Sequence, residues 1–312
     1  MADVVISEFM DRPTAEALIG EYDVYWDPDL WGNRGGLLSR VADARAIVVR
    51  NATQVDIELL EAAPDLKVVA RMGVGLDNID LDACKERNIE VCPAIGANAL
   101  SVAEYVIATA MILLRGPAYF ATPDVAAGAW DRPKFGSGVE LAGRTMGVIG
   151  FGSIGQVVGA KARAMGMDVI AYDAVMAEGD PAWKEVQRVT LEELVAQSDV
   201  ITLHCPLLPQ TRDLINADEL QKMKHGAILI NSARGGIVNE AACAAALKSG
   251  KLGGAALDTL DVEPINAEAC ALFKGIDNLI LTPHIAGVTQ ESNRRIAEVA
   301  ADNVRRVLKQ PR

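Results

Sequence analysis

The chain has 312 residues, 42 acidic against 30 basic side chains for a formal charge of −12, half of its residues hydrophobic and 4% aromatic. That length suits two domains with separate cores, and the acidic balance with few aromatics argues against a nucleic-acid binder or a ligand of anionic membrane surfaces. The opening MADVVISEF is too short and acidic for a signal peptide, the longest apolar run (106–114) is far below a bilayer span, and five scattered cysteines without a C-x-x-C pair fit reduced thiols in a cytoplasmic enzyme, with no metal site.

In chain order, β-branched runs at 4–9, 24–26, 46–50, 67–71 and 89–92 read as strands, with helical periodicity at 14–20, 55–62 and 81–87 between them. Strand, helix, strand at this rhythm implies parallel pairing with right-handed crossovers, hence an open α/β sheet of about five strands. Residues 98–115 read as one long apolar helix capped by Asn98 or by Ser101, with Glu104 completing a capping box. The Gly-, Pro- and Ala-rich stretch 116–143 reads as a connector. Six more strands are expected at 145–149, 168–172, 200–203, 227–230, 254–257 and 279–281, the count of a dinucleotide-binding sheet. The last helix, 289–308, has no strand to feed and is expected to pack on the first domain. Residues 1–98 with 286–312 then form one discontinuous domain and 99–285 the other, with two crossings flanking a cleft.

Gly150-Phe-Gly152-Ser153-Ile154-Gly155 ends the strand TMGVI and opens a helix. The first glycine permits the tight turn, the second admits a pyrophosphate to the backbone, and the third lets helix and strand approach, with helix N-terminal amides aimed at the anion. The next strand ends in Asp173, 18 residues after Gly155. A carboxylate there accepts hydrogen bonds from ribose hydroxyls and repels a 2′-phosphate, which favours NAD over NADP in a Rossmann domain. The alternatives are an ordinary Gly-rich turn and a solvated strand-end acid.

Arg234 follows AILIN, Glu263 lies in DVEP, and His284 ends LTPH, all at strand ends of this second sheet. Singly, each has a bland reading: a surface or capping Arg, a solvated Glu, a satisfied His. Together they match hydride transfer between a nicotinamide and a 2-oxo acid. Arg grips the carboxylate bidentately, His moves the proton near neutrality, and Glu stabilises and orients the imidazolium.

The ordered blocks RMGVGLDNID (71–80), NALSVAE (98–104), AGRTMGVIGFGSIG (142–155), HCPLLPQT (204–211), NSARGGIVNE (231–240), ALDTLDVEP (256–264) and LTPHIAG (281–287) cover nearly the whole chain. In them the sequence resembles the D-isomer-specific 2-hydroxyacid dehydrogenase family. The resemblance implies an α/β fold of two doubly wound parallel-sheet domains, the NAD-binding Rossmann domain inserted in a discontinuous flavodoxin-like substrate domain. It implies Arg234, Glu263 and His284 as the catalytic set and Asp258 as the acid that receives the nicotinamide carboxamide. His204, Cys205, Pro206 and Thr211 fall where the family's backbone lines the adenosine and ribose side. Ser232 and Ala233 fall near the nicotinamide, and Gly287 near the cofactor. Val74 and Gly75 match the loop whose amides hold the substrate carboxylate, and Asn98 sits at the hinge. Domain closure about Asn98 and Gly287 and a homodimer are further implications.

Departures from the family pattern are Ser153, where many members have Arg, and Met72, often Ala, which is expected to reshape the substrate pocket. Glu263 stands where formate dehydrogenases carry Gln, which argues against a formate-like reaction. No serine-responsive regulatory module is expected beyond residue 312. Arg50 and Arg71 are candidates for a second anionic group on the substrate, with surface cations as the alternative reading. The expected activity is NAD-dependent oxidoreduction of a small anionic 2-hydroxy or 2-oxo acid of the 3-phosphoglycerate or sulfolactate type. The alternatives are a hydroxypyruvate or glyoxylate reductase and a non-catalytic NAD-sensing protein.

Overall fold

The computed structural model describes residues 2–309. Its contacts divide the chain into two compact units: the described residues up to Asn98 with those from Val288 onward, and Ala99–Gly287.

In the first unit, strands β1 (Val4–Ile6), β2 (Val24–Trp26), β3 (Ala46–Val49), β4 (Val68–Arg71) and β5 (Glu90–Pro93) alternate with helices α1 (Arg12–Ile19), α2 (Arg34–Val41), α3 (Ile57–Ala62) and α4 (Leu81–Glu86). Every pairing is parallel and the order is β2-β1-β3-β4-β5, the flavodoxin-like arrangement. Its direction reverses between β1 and β3, so the loops after these strands flank the switch point. β3 is buried along its whole length because helices cover both faces. The aspartates Asp11, Asp56 and Asp80 accept from the amides of Thr14, Leu59 and Ala83, so part of the acidic excess serves as helix N-caps.

The second unit opens with α5 (Ala99–Arg115) and three short helices, α6 (Pro117–Phe120), α7 (Thr122–Ala126) and α8 (Arg132–Phe135), inside the stretch read as a connector. Then follow β6 (Thr145–Ile149), α9 (Ser153–Ala164), β7 (Asp168–Tyr172), β8 (Gln187–Arg188), α10 (Leu191–Gln197), β9 (Val200–Leu203), α11 (Ala217–Lys222), β10 (Ala227–Asn231), α12 (Glu240–Lys248), β11 (Leu252–Leu257), α13 (Ala267–Leu272) and β12 (Leu279–Leu281). The seven-stranded order β12-β11-β10-β9-β6-β7-β8 is the dinucleotide-binding order with one added edge strand. Here the direction reverses between β6 and β9. Finally α14 (Gln290–Leu308), capped by Thr289, buries Ile296, Ala297, Ala300, Ala301 and Val304 in the core of the first unit, against β4 and α1.

Several expectations need correction. The strand expected at 4–9 stops at Ile6, and the one at 46–50 stops at Val49, because Glu8 draws the backbone amides of Arg50, Ala52 and Thr53 out of the ladder. Ser101 is no cap: the apolar run extends back to Ala99, which leaves Ser101 buried as the helix's third residue. Asn98 Oδ1 is buried without a hydrogen-bond partner and so caps nothing either. Strand β8 was not expected, since two exposed residues carry no alternation to read. Strand β11 starts at Leu252, two residues early. Its Gly253 lies so close to Gly226 O that a Cβ would stand 2.3 Å from it, and the LGG sequence reads as a turn although it forms a strand.

Candidate active site

The glycine loop lies at the switch point of the second sheet. Gly150 has φ +87°, and a Cβ there would lie 2.7 Å from Cys205 N and His204 C, the backbone that leaves β9. Gly155 is packed as tightly, 2.2 Å from Gly150 O. Gly152 differs: a Cβ would meet nothing within 4 Å, so packing does not require its lack of a side chain and the backbone there is open to approach. No side chain caps α9, whose first residues are Ser153 and Ile154, and the helix N-terminus is left to accept an anion.

Asp173, just past β7, accepts from Phe151 N at 2.8 Å through Oδ2 and from Val175 N and Met176 N at 2.9 Å through Oδ1. Burial pulls its pKa upward, but these three amides and the charge of Arg188 outweigh it, so the carboxyl stays ionised below its ordinary range. An uncapped helix behind an open glycine and an ionised acid on the next strand fit the pyrophosphate and ribose of NAD. Phe151 is buried under the loop and stacks on Trp183, ring centroids 5.2 Å apart.

On the other side of the switch point, His204 Nε2 lies 3.0 Å from Thr202 Oγ1, and burial pushes its pKa down to about 3, which keeps the ring neutral. Burial likewise pushes the Cys205 thiol up to about 11, so it is no nucleophile. Thr211 spends its hydroxyl within the loop, donating to Pro206 O and accepting from Leu208 N, both at 2.7 Å. Side chains here shape the loop.

Three loops at the strand ends carry the titratable set. Asn231, buried at the end of β10, accepts from Ala233 N at 3.1 Å and donates to Arg234 O at 2.8 Å, clamping the turn that presents Arg234. Gly235 brings that turn against the β11 loop: a Cβ would lie 2.0 Å from Leu260 O. In the β11 loop Glu263 Oε1 accepts from Leu260 N at 2.8 Å, while Oε2 lies 2.8 Å from His284 Nδ1. Burial raises Glu263, yet the bond from His284, the Leu260 amide and the charges of His284 and Arg234 together hold it below the usual carboxylate range. His284 sits at φ +57° after β12, its backbone N–H donating to Asp258 O at 2.8 Å. Asp258 is buried; Oδ1 accepts from Thr282 Oγ1 at 2.6 Å and Ile285 N at 2.8 Å, and Oδ2 from Ala286 N at 2.8 Å. Thus Arg234, Glu263 and His284 come together, with Arg234 close enough for its charge to act on Glu263. Ser232 Oγ is buried without a partner beside Ala233, in the clamped turn.

In the first unit, Arg50 stands at the switch point after β3. Its guanidinium lies 5.7 Å above the Phe9 ring centroid, and Nη2 is 3.3 Å from Asn293 Oδ1 on α14. Glu8 holds its backbone amide at 2.7 Å, and Asn78 Nδ2 donates to Arg50 O at 3.1 Å. Arg71 is turned back on its own loop, donating from Nη1 to Met72 O at 2.7 Å and lying over Gly73. Val74 and Gly75 follow, half-buried. Met72, expected to reshape the substrate pocket, is buried. The period of two puts it with Val68 and Ala70 in the core against α14. Arg295 donates to Ala97 O at 2.9 Å beside Asn98, and its Nη2 is buried without a partner.

Sequence reading missed Glu8, Asn78, Asn231, Asn293 and Arg295, which act on the backbone or on other side chains. Only Asn231 left a trace, as a polar residue closing an apolar strand. Among the described residues no cluster of His, Cys, Asp and Glu is able to hold a metal, and no helix is long and apolar enough to cross a membrane. The five cysteines are free.

Residues 107–286, inside the second unit, match the D-isomer specific 2-hydroxyacid dehydrogenase NAD-binding domain. The chain belongs to this family. It is an NAD-dependent 2-hydroxyacid dehydrogenase, and its inserted unit is the NAD-binding domain. It is 48% identical to the (S)-sulfolactate dehydrogenase of Chromohalobacter salexigens over 99% of both chains. Identity is 40% to the D-3-phosphoglycerate dehydrogenase of Mycobacterium leprae over 98% of this chain, which spans 56% of that protein. The structure of the TT0316 protein from Thermus thermophilus superposes with a TM-score of 0.87 at 33% identity, covering 98% of this chain and 96% of that one.

Proposed function

We propose that this dehydrogenase interconverts a small 2-hydroxy acid bearing a second anionic group with its 2-oxo acid, sulfolactate first and 3-phosphoglycerate second. The observation that carries the reading is the likeness to the sulfolactate dehydrogenase along 99% of both chains. Arg50 supports it: a cation at a switch point, steadied by Phe9 and Asn293, suits a sulfonate or phosphate.

Bound NAD would supply the acceptor for the hydride that leaves C2 of the hydroxy acid. The amides of Gly152, Ser153, Ile154 and Gly155 behind the turn at Gly150 would hold its pyrophosphate, Asp173 its ribose, and the backbone at His204, Cys205, Pro206 and Thr211 its adenosine side. Ser232, Ala233, Asp258 and Gly287 would line the nicotinamide side. Arg234 grips the substrate carboxylate. Within the first unit, Val74, Gly75 and Asn98 are the substrate-binding residues that the family likeness implies. His284 has Nδ1 committed to Glu263, so Nε2 takes the hydroxyl proton in oxidation and returns it in reduction. Glu263 stabilises the imidazolium that results. The enzyme is placed in the cytoplasm as a homodimer, for which the exposed Tyr119, Phe120 and Trp130 of the 116–143 stretch offer apolar surface. Sedimentation as a monomer at micromolar concentration would contradict the dimer.

A hydroxypyruvate or glyoxylate reductase is the second reading, favoured by the folding back of Arg71, which engages one of the two candidate cations. A panel of sulfolactate, 3-phosphoglycerate, malate, lactate and glycerate with NAD tests the choice. A doubly anionic acid is expected to lead in kcat/KM, and Arg50→Ala to raise its KM about 10-fold with little loss of kcat. An unchanged KM for every doubly anionic substrate excludes the role given to Arg50.

A further inference from the structure

We infer that Tyr105 and Thr282 form a directed hydrogen-bonded line from helix α5 to Asp258 and are positioning residues for His284 and for the cofactor's carboxamide. Tyr105 OH lies 2.7 Å from Thr282 Oγ1, and Thr282 Oγ1 lies 2.6 Å from Asp258 Oδ1. Thr282 donates the single proton of its hydroxyl to Asp258 Oδ1. The first bond must then run from Tyr105 to Thr282. Burial and the negative charge of Asp258 raise the pKa of the phenol against the opposing effect of Thr282, which keeps it a donor at working pH.

The line has two consequences. A carboxylate offers about four acceptor positions. Thr282 and Ile285 N fill those of Oδ1, and Ala286 N fills one of Oδ2, so among the described residues' bonds one position on Oδ2 is left for an outside donor. An amide N–H suits that position, and its direction is set by the three donors already seated. The second consequence concerns His284, which lies between Thr282 and the two amides that Asp258 holds. Its own N–H donates to Asp258 O at 2.8 Å and lies 3.0 Å from Thr282 O, in a left-handed conformation that costs a non-glycine residue energy. Holding both flanks of His284 on one buried acid is what maintains that conformation. Tyr105, on α5, ties the assembly to the helix that packs along α9 and the sheet.

This inference rests on His284 as the proton carrier, so its test includes a quantity independent of proton transfer: NADH binding without substrate, followed by fluorescence. Thr282→Val removes the donor to Asp258 and is expected to raise the NADH Kd and lower kcat, each roughly 10-fold, with Thr282→Ser restoring both. Tyr105→Phe keeps the ring packing and is expected to lower kcat about threefold or more with little change in Tm. Thr282→Val and Tyr105→Phe enzymes with wild-type kcat and NADH Kd would overturn the positioning role, whatever their Tm. The two readings fail separately: a His284→Asn enzyme that still turns over overturns the proton carrier, whereas a Thr282→Val enzyme with the parent NADH Kd overturns the positioning line.

Discussion

Glu263 Oε2 stands 2.8 Å from His284 Nδ1, and the opposite oxygen of the same carboxylate is fixed by Leu260 N. The pair commits Nδ1 of the ring and leaves Nε2 outside it. Both groups remain open to solvent.

Glu263→Gln keeps an oxygen acceptor for the ring and removes the charge. For oxidation of the hydroxy acid, kcat is expected to fall roughly 10-fold or more, because the ring loses the charge of its partner. Steady-state rates between pH 5 and 10 check this. A kcat identical to the parent across that range would remove Glu263 from the proton pathway.

Asp173 is held ionised by three amides and aimed from the end of β7. Asp173→Ala is expected to cut the preference for NAD over NADP by about 10-fold or more, since the acid both accepts from the ribose hydroxyls and repels a phosphate. The ratio of kcat/KM for the two cofactors measures it. An unchanged ratio would leave Asp173 with only its loop-holding bonds.

The two units differ in how far their sites were legible. In the second, glycine spacing, a strand-end acid and three strand-end charged residues each lie in one short segment, so sequence alone marks them. The reason Gly150 must be glycine is visible only in space, where β9 passes against it. In the first unit, strand alternation is enough to place Met72 with Val68 and Ala70 in the core. The support of Arg50 was not legible, because Glu8, Asn78 and Asn293 reach it from sequence separations of 42, 28 and 243. The Tyr105–Thr282 bond spans 177 residues and has no local signature.

His204 predicts a pH effect on stability. Its folded pKa is pushed to about 3 by burial, against an ordinary value of 6.5. As pH falls through the unfolded value, the unfolded chain binds the proton first. The ring therefore has no effect above that value and removes stability progressively between pH 6.5 and about 3. His204→Gln, which does not titrate, is expected to give a flatter decline of Tm with acidification. Parallel Tm curves for the two proteins across that range would show that the ring titrates normally.

His284→Asn gives the most direct measurement of the central claim, that one histidine paired with Glu263 moves the proton in a 2-hydroxyacid dehydrogenase. Single-turnover hydride transfer and NADH binding are to be read on the same preparation. The expected result is NADH affinity within about threefold of the parent, with transfer slowed by roughly 10²-fold or more. Transfer at the parent rate, with NADH bound as before, would contradict it.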